Sequence, residues 1–181
     1  MAVVDGRLKG ARFVESPNQS ERPASCHVDL LVIHNISLPP GRYGTGCIDQ
    51  LFCNVLDPNS DPFFEQISDL KVSAHLLINR EGTVTQYVPF EKKAWHAGQS
   101  VFGGRDNCND YSIGIELEGT DFEDFTDSQY EVLVRVVKSL QQEYPQISLD
   151  RIVGHSDIAP GRKTDPGPFF SWSKLRNALS V

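Results

Sequence analysis

The sequence has no apolar run long enough to span a membrane, and its first residues, "MAVVDGRLKGARFVESPN", lack the apolar stretch of a signal peptide. It also lacks an excess of basic residues, because 17 lysines and arginines stand against 24 aspartates and glutamates, a formal net charge of −7. Proteins that bind nucleic-acid phosphates or anionic membranes normally present a basic face. We therefore expect a cytoplasmic protein that binds neither nucleic acid nor membrane.

The four cysteines form no C-x-x-C pair; they are Cys26, Cys47, Cys53 and Cys108. In a reducing compartment this spacing predicts free thiols, and it argues against a zinc site built on cysteine. Internal repeats and low-complexity segments are also missing, while 39% hydrophobic and 23% charged residues are ordinary values for a globular protein. We expect one domain over residues 1–181 and a monomer.

Apolar spacing predicts strands that alternate with helices after an extended, polar lead-in of about thirty residues. Three segments are typical of strands: "VDLLVIH", the alternating "YSIGIELEG" and "DRIVGH". "KVSAHLLINREGTVTQYVPF" is typical of a hairpin that turns at "NREG". Helices are predicted for "IDQLFCNVL", "DPFFEQISDL", "SWSKLRNAL" and a long segment that Thr126 and Gln129 cap and Pro145 ends. The pattern predicts an α/β (α+β) fold with a central mixed β-sheet flanked by helices.

Unusual polar residues stand on or at the ends of three of these strands. His34 ends "VDLLVIH", Glu116 lies on the polar side of "YSIGIELEG", and His155 ends "DRIVGH". A loop rich in proline and glycine, "GRKTDPGP", then carries Lys163 and Asp165. Two histidines and one carboxylate would suit zinc and leave its fourth position open for water. The alternative stays open at this point: structural histidines, a turn-forming Asp165 and a solvated Lys163.

Six blocks of the sequence together resemble the AmpD-type N-acetylmuramoyl-L-alanine amidases. These belong to the zinc amidase family that includes phage T7 lysozyme and the peptidoglycan recognition proteins. The blocks follow one another in order: "VIHNISLPPG", "VSAHLLI", "QYVPF", "AWHAG", "CNDYSIGIELEGTD" and "GHSDIAPGRKTDPGP". The resemblance as a whole extends from about residue 6 to about residue 172. The resemblance implies one zinc ion in a surface groove of a mixed α/β domain.

The implied reaction is cleavage of the amide between the lactyl group of anhydro-N-acetylmuramic acid and L-alanine in muropeptides. The resemblance further implies that these muropeptides are being recycled in the bacterial cytoplasm, and that their level affects β-lactamase induction. The family's zinc ligands fall on His34, His155 and Asp165, its catalytic acid/base on Glu116 and its catalytic lysine on Lys163. Alternation alone does not separate Glu116 from Glu118, which shares its strand face.

Five further residues are candidates for substrate contact. The resemblance implies contacts from Asn35 and Trp95, and His75 would either line the groove or support a ligand from behind. Family members carry basic residues that hold substrate carboxylates before "VSAH" and before "CND". Lys71 keeps the first charge, whereas Asn107 is neutral at the second position, and Arg105 is the candidate replacement.

Three other functions compete with this prediction. A peptidoglycan-binding module of the same fold would bind fragments without cutting them, but such members usually lack part of the ligand set. A thiol hydrolase would use a cysteine such as Cys108 with His96, although no helix start or basic neighbour marks a cysteine as activated. A secreted amidase that acts on intact peptidoglycan is disfavoured by the missing leader segment.

Overall fold

The computed structural model describes residues 1–180. Twelve strands lie within this range: β1 (Val3–Val4), β2 (Arg7–Leu8), β3 (Arg12–Phe13), β4 (Gln19–Glu21), β5 (Leu30–Ile36), β6 (Leu76–Ile78), β7 (Val84–Gln86), β8 (Lys92–Ala94), β9 (Val101–Phe102), β10 (Arg105–Asp106), β11 (Ser112–Glu118) and β12 (Ile152–Gly154). Four α-helices accompany them: α1 (Cys47–Phe52), α2 (Asp127–Glu143), α3 (His155–Ile158) and α4 (Trp172–Leu179). Within the same range, no helix combines the length and the apolar character that crossing a membrane requires.

Six of the strands form the central sheet, in the order β12, β5, β11, β6, β7, β3. The first four run parallel, β7 is antiparallel to β6, and β3 is parallel to β7. The hairpin predicted at residues 71–90 is therefore present as β6 and β7. The predicted mixed sheet flanked by helices is confirmed.

The two faces of the sheet pack against different elements because side chains alternate along each strand. Leu31 and Ile33 of β5 face the core that α2 and α4 cover, together with Leu133 and Val137 of α2. Residues of opposite parity face the other side, where the hydrophobic cluster of α1 and a smaller cluster around Leu30 lie. His34 has the parity of this second face, so its side chain lies on the side away from α2.

The long helix α2 begins and ends as the sequence predicts. Thr126 is its N-cap: the Thr126 hydroxyl accepts a hydrogen bond from the Gln129 backbone N–H at 3.1 Å, and the Gln129 side chain accepts one from the Thr126 N–H at 3.0 Å. These reciprocal bonds satisfy two amides of the first turn that would otherwise lack partners. The helix ends at Glu143, shortly before Pro145, which lacks the N–H needed to continue it.

Three predictions of local structure were wrong or incomplete. The helix predicted for residues 61–70 is only a short 3₁₀ turn, Phe64–Gln66, because the Asp61 carboxylate bonds the Phe63 N–H and closes a turn. The polar lead-in contains four short strands, of which β3 extends the central sheet. The segment after β12 was predicted to be loop throughout, yet its first four residues form α3.

Candidate active site

The sheet register brings the strand-end residues together. In the parallel pair of β5 and β11, His34 lies directly opposite Glu116. On the other side of β5, Gly154 of β12 is paired with Ile33, so His155 follows at the same edge of the sheet. Both histidines are almost completely buried, with exposed fractions of 1% for His34 and 3% for His155. Three positions far apart in sequence thus face one point.

The loop after α3 folds back onto β12 and delivers Asp165 to this point. The Ser156 N–H donates to the Asp165 carbonyl at 3.0 Å, and Asp157 accepts a hydrogen bond from the Gly154 N–H at 2.7 Å. Gly154 permits this close approach, because a Cβ at residue 154 would lie 2.8 Å from Cδ of Pro166. The Asp157 carboxylate therefore stabilises the loop and takes no part in the cluster of ligand atoms.

His34, His155 and Asp165 present three ligand atoms to one another. The Nδ1 atoms of the two histidines are 3.0 Å apart, and Oδ2 of Asp165 lies 2.9 Å from Nδ1 of His34 and 3.0 Å from Nδ1 of His155. Across residues 1–180, this trio is the group of histidine, cysteine and acidic side chains that could hold a metal ion. The far nitrogen of His155, Nε2, lies 3.0 Å from the Ala97 carbonyl, which orients its ring.

Electrostatics favours the protonation states that metal binding requires. Burial lowers the pKa of His34 to about 4, a shift that Asp165 opposes only in part. Burial works to raise the pKa of Asp165, but hydrogen bonds from His155 and His34 outweigh it and hold that pKa well below its usual range. At neutral pH His34 is therefore neutral and Asp165 ionised, the charge states in which an imidazole and a carboxylate can bind a metal.

Glu116 lies beside this trio with a carboxylate oxygen that nothing satisfies. Its side chain is 9% exposed, and its Oε2 has no hydrogen-bond partner among residues 1–180. Burial and then the charge of Asp165 raise the pKa of Glu116 well above its usual value, while Lys163 opposes the shift. An unpartnered buried carboxylate is costly to stability, and such costs are typical of functional sites.

Glu118, the competing glutamate on the same strand face, has a carboxylate that is fully engaged in hydrogen bonds to the backbone. Its two carboxylate oxygens accept hydrogen bonds from the backbone N–H groups of Gly44, at 2.7 Å, and Arg80, at 3.3 Å. Glu118 lines a separate cavity of about 230 Å³ that contains none of the three ligand residues. The geometry thus separates two glutamates that strand alternation left equivalent.

Two adjoining cavities form a groove over the trio. The inner cavity, of about 240 Å³, is lined by the ligand residues together with Glu116 and Lys163. The outer cavity, of about 760 Å³, shares Lys163 and Asp165 with it and extends along an apolar wall that includes Phe63, Ile67 and the 84% exposed Phe122. The combination of an apolar wall and a polar inner end is typical of sites for small ligands.

Two of the predicted substrate contacts line this groove and are already anchored within the protein. The Asn35 side-chain amide donates to Asp121 at 2.7 Å and to the Pro166 carbonyl at 3.1 Å, which ties the Asp165 loop to β5. Trp95 lines the inner cavity while its indole N–H bonds the Ser20 hydroxyl at 3.0 Å. Asn35 keeps its carbonyl oxygen, and Trp95 its ring, for contact with a ligand.

Two other predicted substrate contacts, Lys71 and His75, line neither of the two cavities. Lys71 is exposed, next to Leu70 and Val72 of the inner cavity. His75 is 0% exposed, with Nδ1 accepting from the Gly114 N–H and Nε2 beside the Lys92 carbonyl, so it lies behind the groove.

The structure does not bring Arg105 to the groove. Its guanidinium bonds Asp29 at 2.5 Å and stacks 3.7 Å above the ring of Tyr111, away from both cavities. Asn107, the neutral residue at the position where family members are basic, has a φ of 57°. Asparagine tolerates this left-handed conformation better than most residues.

Sequence reasoning missed the contacts that His96 and Arg162 make with the two histidines of the trio. His96, in the "AWHAG" loop, lies with Nδ1 2.9 Å from Nε2 of His34. Arg162 donates to the carbonyls of Ala97 and Gln99 at 2.6 and 2.7 Å, which holds that loop against the Asp165 loop. Neither residue stands in a periodic pattern, so only the "AWHAG" block itself marked His96.

Comparisons with known proteins agree with this geometry. A family profile described as N-acetylmuramoyl-L-alanine amidase matches residues 24–168. The 1,6-anhydro-N-acetylmuramyl-L-alanine amidase AmpD of Enterobacter cloacae is 55% identical over 181 residues, which cover 100% of this chain and 96% of that protein. A crystal structure of a selenomethionine AmpD derivative superimposes with a TM-score of 0.96 at 52% identity and covers 99% of both chains.

A second solved structure was determined with a ligand. AmpDh3 from Pseudomonas aeruginosa, in complex with anhydromuramic pentapeptide, superimposes with a TM-score of 0.65 at 30% identity, and the match covers 98% of this chain and 66% of that one. A mixed sheet that gathers His34, His155 and Asp165 beside the buried Glu116, at the inner end of a groove, is an arrangement that suits a hydrolase. The chain belongs to the N-acetylmuramoyl-L-alanine amidase family, and its activity is the amide hydrolysis for which the family is named.

Proposed function

We propose that the chain is a zinc-dependent amidase of muropeptide recycling. It cleaves the amide between the lactyl group of 1,6-anhydro-N-acetylmuramic acid and L-alanine, acts in the bacterial cytoplasm, and works as a monomer with residues 1–181 forming one zinc amidase domain. The observation that carries the proposal is the trio of His34, His155 and Asp165 beside the unpartnered carboxylate of Glu116. We infer an anhydro-muropeptide as the substrate for two reasons: AmpDh3 was solved with anhydromuramic pentapeptide, and the AmpD relative is named a 1,6-anhydro-N-acetylmuramyl-L-alanine amidase.

The trio fits a single zinc ion. Tetrahedral zinc with bonds of roughly 2.0–2.2 Å separates its ligand atoms by about 3.3 Å. The three ligand atoms are 2.9–3.0 Å apart, so an opening of a few tenths of an ångström would accommodate the ion. Two imidazole nitrogens and one carboxylate oxygen are also the ligand types of catalytic zinc sites, which keep one position for water.

When bound, zinc supplies a Lewis acid that lowers the pKa of water and polarises the amide carbonyl. Glu116 takes a proton from the attacking water and passes it to the departing alanine nitrogen. Burial raises the pKa of Glu116, which makes its carboxylate a stronger proton acceptor than an exposed one. Lys163 is exposed and lines both cavities, and its ammonium group stabilises the negative charge that develops on the carbonyl oxygen.

The groove suits a substrate that has a sugar at one end and a peptide at the other. The outer cavity of about 760 Å³ lies within the range of ligand pockets, roughly 300–1,000 Å³. The Trp95 ring in the inner cavity offers an apolar surface of the kind that packs on a sugar face. Lys71 and Lys163 supply positive charge for the substrate's carboxylates.

The proposal is tested by incubating the purified protein with 1,6-anhydro-muramyl-tripeptide and identifying the products by mass spectrometry. We expect free tripeptide with an L-alanine amino terminus and anhydro-muramic acid with a free lactyl carboxylate. A muramyl peptide with an intact reducing sugar, tested in parallel, measures how far the anhydro ring matters. Binding of the anhydro-muropeptide without any cleavage would contradict the proposal and favour a peptidoglycan-binding module of the same fold.

A further inference from the structure

A third histidine continues the hydrogen-bond chain behind the ligand His34. Nε2 of His34 lies 2.9 Å from Nδ1 of His96, and Nε2 of His96 lies 3.0 Å from the Ser112 hydroxyl. His34 and Ser112 are almost completely buried, and His96, which is 9% exposed, also lines the inner cavity. The rings of His34 and His96 are nearly perpendicular, at 85°, so His34 meets its neighbour edge-on.

The positions of the ring protons of His34 and His96 follow once His34, His155 and Asp165 bind a metal. Nδ1 of His34 must then offer a lone pair, so the ring proton of His34 sits on Nε2 and points at His96. Nδ1 of His96 must accept it, which leaves the proton of His96 on Nε2, where it is donated to Ser112. The opposite arrangement would place a proton on Nδ1 of His34, where the metal binds.

We propose that His96 is a positioning residue of the metal site: it accepts the Nε2 proton of His34 and thereby holds the His34 lone pair toward zinc. This inference rests on the zinc site of the proposed function. Ligand histidines usually donate their second N–H to a carboxylate, a carbonyl or water, as His155 does to the Ala97 carbonyl. A neutral histidine in this role adds no negative charge to the site.

Two further contacts are built around the position of His96. The backbone N–H groups of His96 and Ala97 both donate to the Asn109 side-chain oxygen, at 3.1 and 2.8 Å, which fixes the start of the loop. Gly114 leaves room for the ring, because a Cβ at residue 114 would lie 2.5 Å from Cγ of His96. The sheet thus lacks a side chain where the histidine ring needs space.

The test compares zinc dissociation constants, measured by competition with a chromogenic chelator, for the unmodified protein and three variants. His96→Leu keeps the side-chain bulk but removes the acceptor, and we expect zinc affinity to fall about 10- to 100-fold. His96→Asn places an oxygen near the position of Nδ1 and should recover most of that loss. Gln86→Leu is the control, since Gln86 is also a buried polar residue and its three side-chain hydrogen bonds are remote from the trio.

A second measurement does not depend on how well the variants fold. Long-range ¹H–¹⁵N correlation spectra of the unmodified, zinc-loaded protein report which ring nitrogens carry protons, and we expect Nε2–H for both His34 and His96. A proton on Nδ1 of His96 would overturn the inference, as would unchanged zinc affinity in folded His96→Leu. Failure of the unmodified protein to bind one zinc ion would instead overturn the proposed function, and the inference with it.

Discussion

Replacement of Glu116 by glutamine removes the proton acceptor while it keeps the size of the side chain. If Glu116 moves the proton between water and the alanine nitrogen, the Glu116→Gln variant should lose roughly 10²–10⁴ in kcat. At about 1.36 kcal/mol for each factor of ten, this loss corresponds to about 2.7–5.4 kcal/mol of transition-state stabilisation. Glu116 does not belong to the trio of ligand atoms, so zinc content should remain at one ion per chain.

Glu118→Gln is the matched control, because Glu118 lies on the same face of the same strand. Its carboxylate bonds the backbone amides of Gly44 and Arg80, so the change should lower the free energy of unfolding and leave kcat within about tenfold. Both variants are assayed by release of tripeptide from anhydro-muramyl-tripeptide, with zinc measured in the same samples. Near-normal turnover by Glu116→Gln with zinc bound would refute the assignment of Glu116.

The same substitution has a pH-dependent effect on stability. Folding raises the pKa of Glu116, so above about pH 4.3 the unfolded chain releases a proton that the folded protein retains. The stability contributed by this group is therefore complete below that pH and is lost as the pH rises toward the folded-state pKa. Urea unfolding of the zinc-free proteins measures this effect. Between pH 4.5 and pH 7.5, the free energy of unfolding of Glu116→Gln should rise relative to that of the unmodified protein, by at most about 1.36 kcal/mol per pH unit.

Four further predictions follow from the site. Asp165→Ala should bind less than one zinc ion per chain at unchanged circular dichroism, and full occupancy would remove Asp165 from the ligand set. Lys163→Met should lose roughly 10²–10³ in kcat with zinc retained, as for other groups that stabilise an oxyanion; an unchanged kcat would argue against this role. Gly114→Ala should weaken zinc binding because its Cβ displaces the ring of His96, and an unaltered dissociation constant would contradict that reasoning. Burial, followed by the charge of Arg22, lowers the pKa of His75 to about 3, so His75 should destabilise the fold as the pH drops below about 6.5. The free energy of urea unfolding should therefore depend less steeply on pH between 6.5 and 4.5 in His75→Gln than in the unmodified protein. The same pH dependence in both proteins would contradict this.

All strands of the central sheet except β3 were predictable because their patterns are strong and local. "VDLLVIH" contains the continuous apolar run 30–33, "YSIGIELEG" alternates strictly, and the capping box of Thr126 and Gln129 depends only on residues three apart. The short 3₁₀ turn at Phe64–Gln66 was not predictable from spacing, because the Asp61 turn competes with a helix within the same few residues.

The trio of candidate metal ligands was predictable as a group only by adding the family resemblance to the residue pattern. Strand ends made His34 and His155 candidates, but the return of the loop to Asp165 depends on the close contact of Gly154 with Pro166. Contacts between distant loops could not be predicted in the same way. Arg105 has the right charge near the right block, yet Asp29, 76 residues earlier in the chain, holds its guanidinium elsewhere.

Chelation and reconstitution test the central claim most directly. The protein is stripped with a chelator until no zinc is detected, assayed for release of tripeptide from anhydro-muramyl-tripeptide, and assayed again after one equivalent of zinc is added. We predict that stripping abolishes release and that one equivalent of zinc restores it. Release at the original rate by protein with no measurable zinc would contradict a metal-dependent amidase.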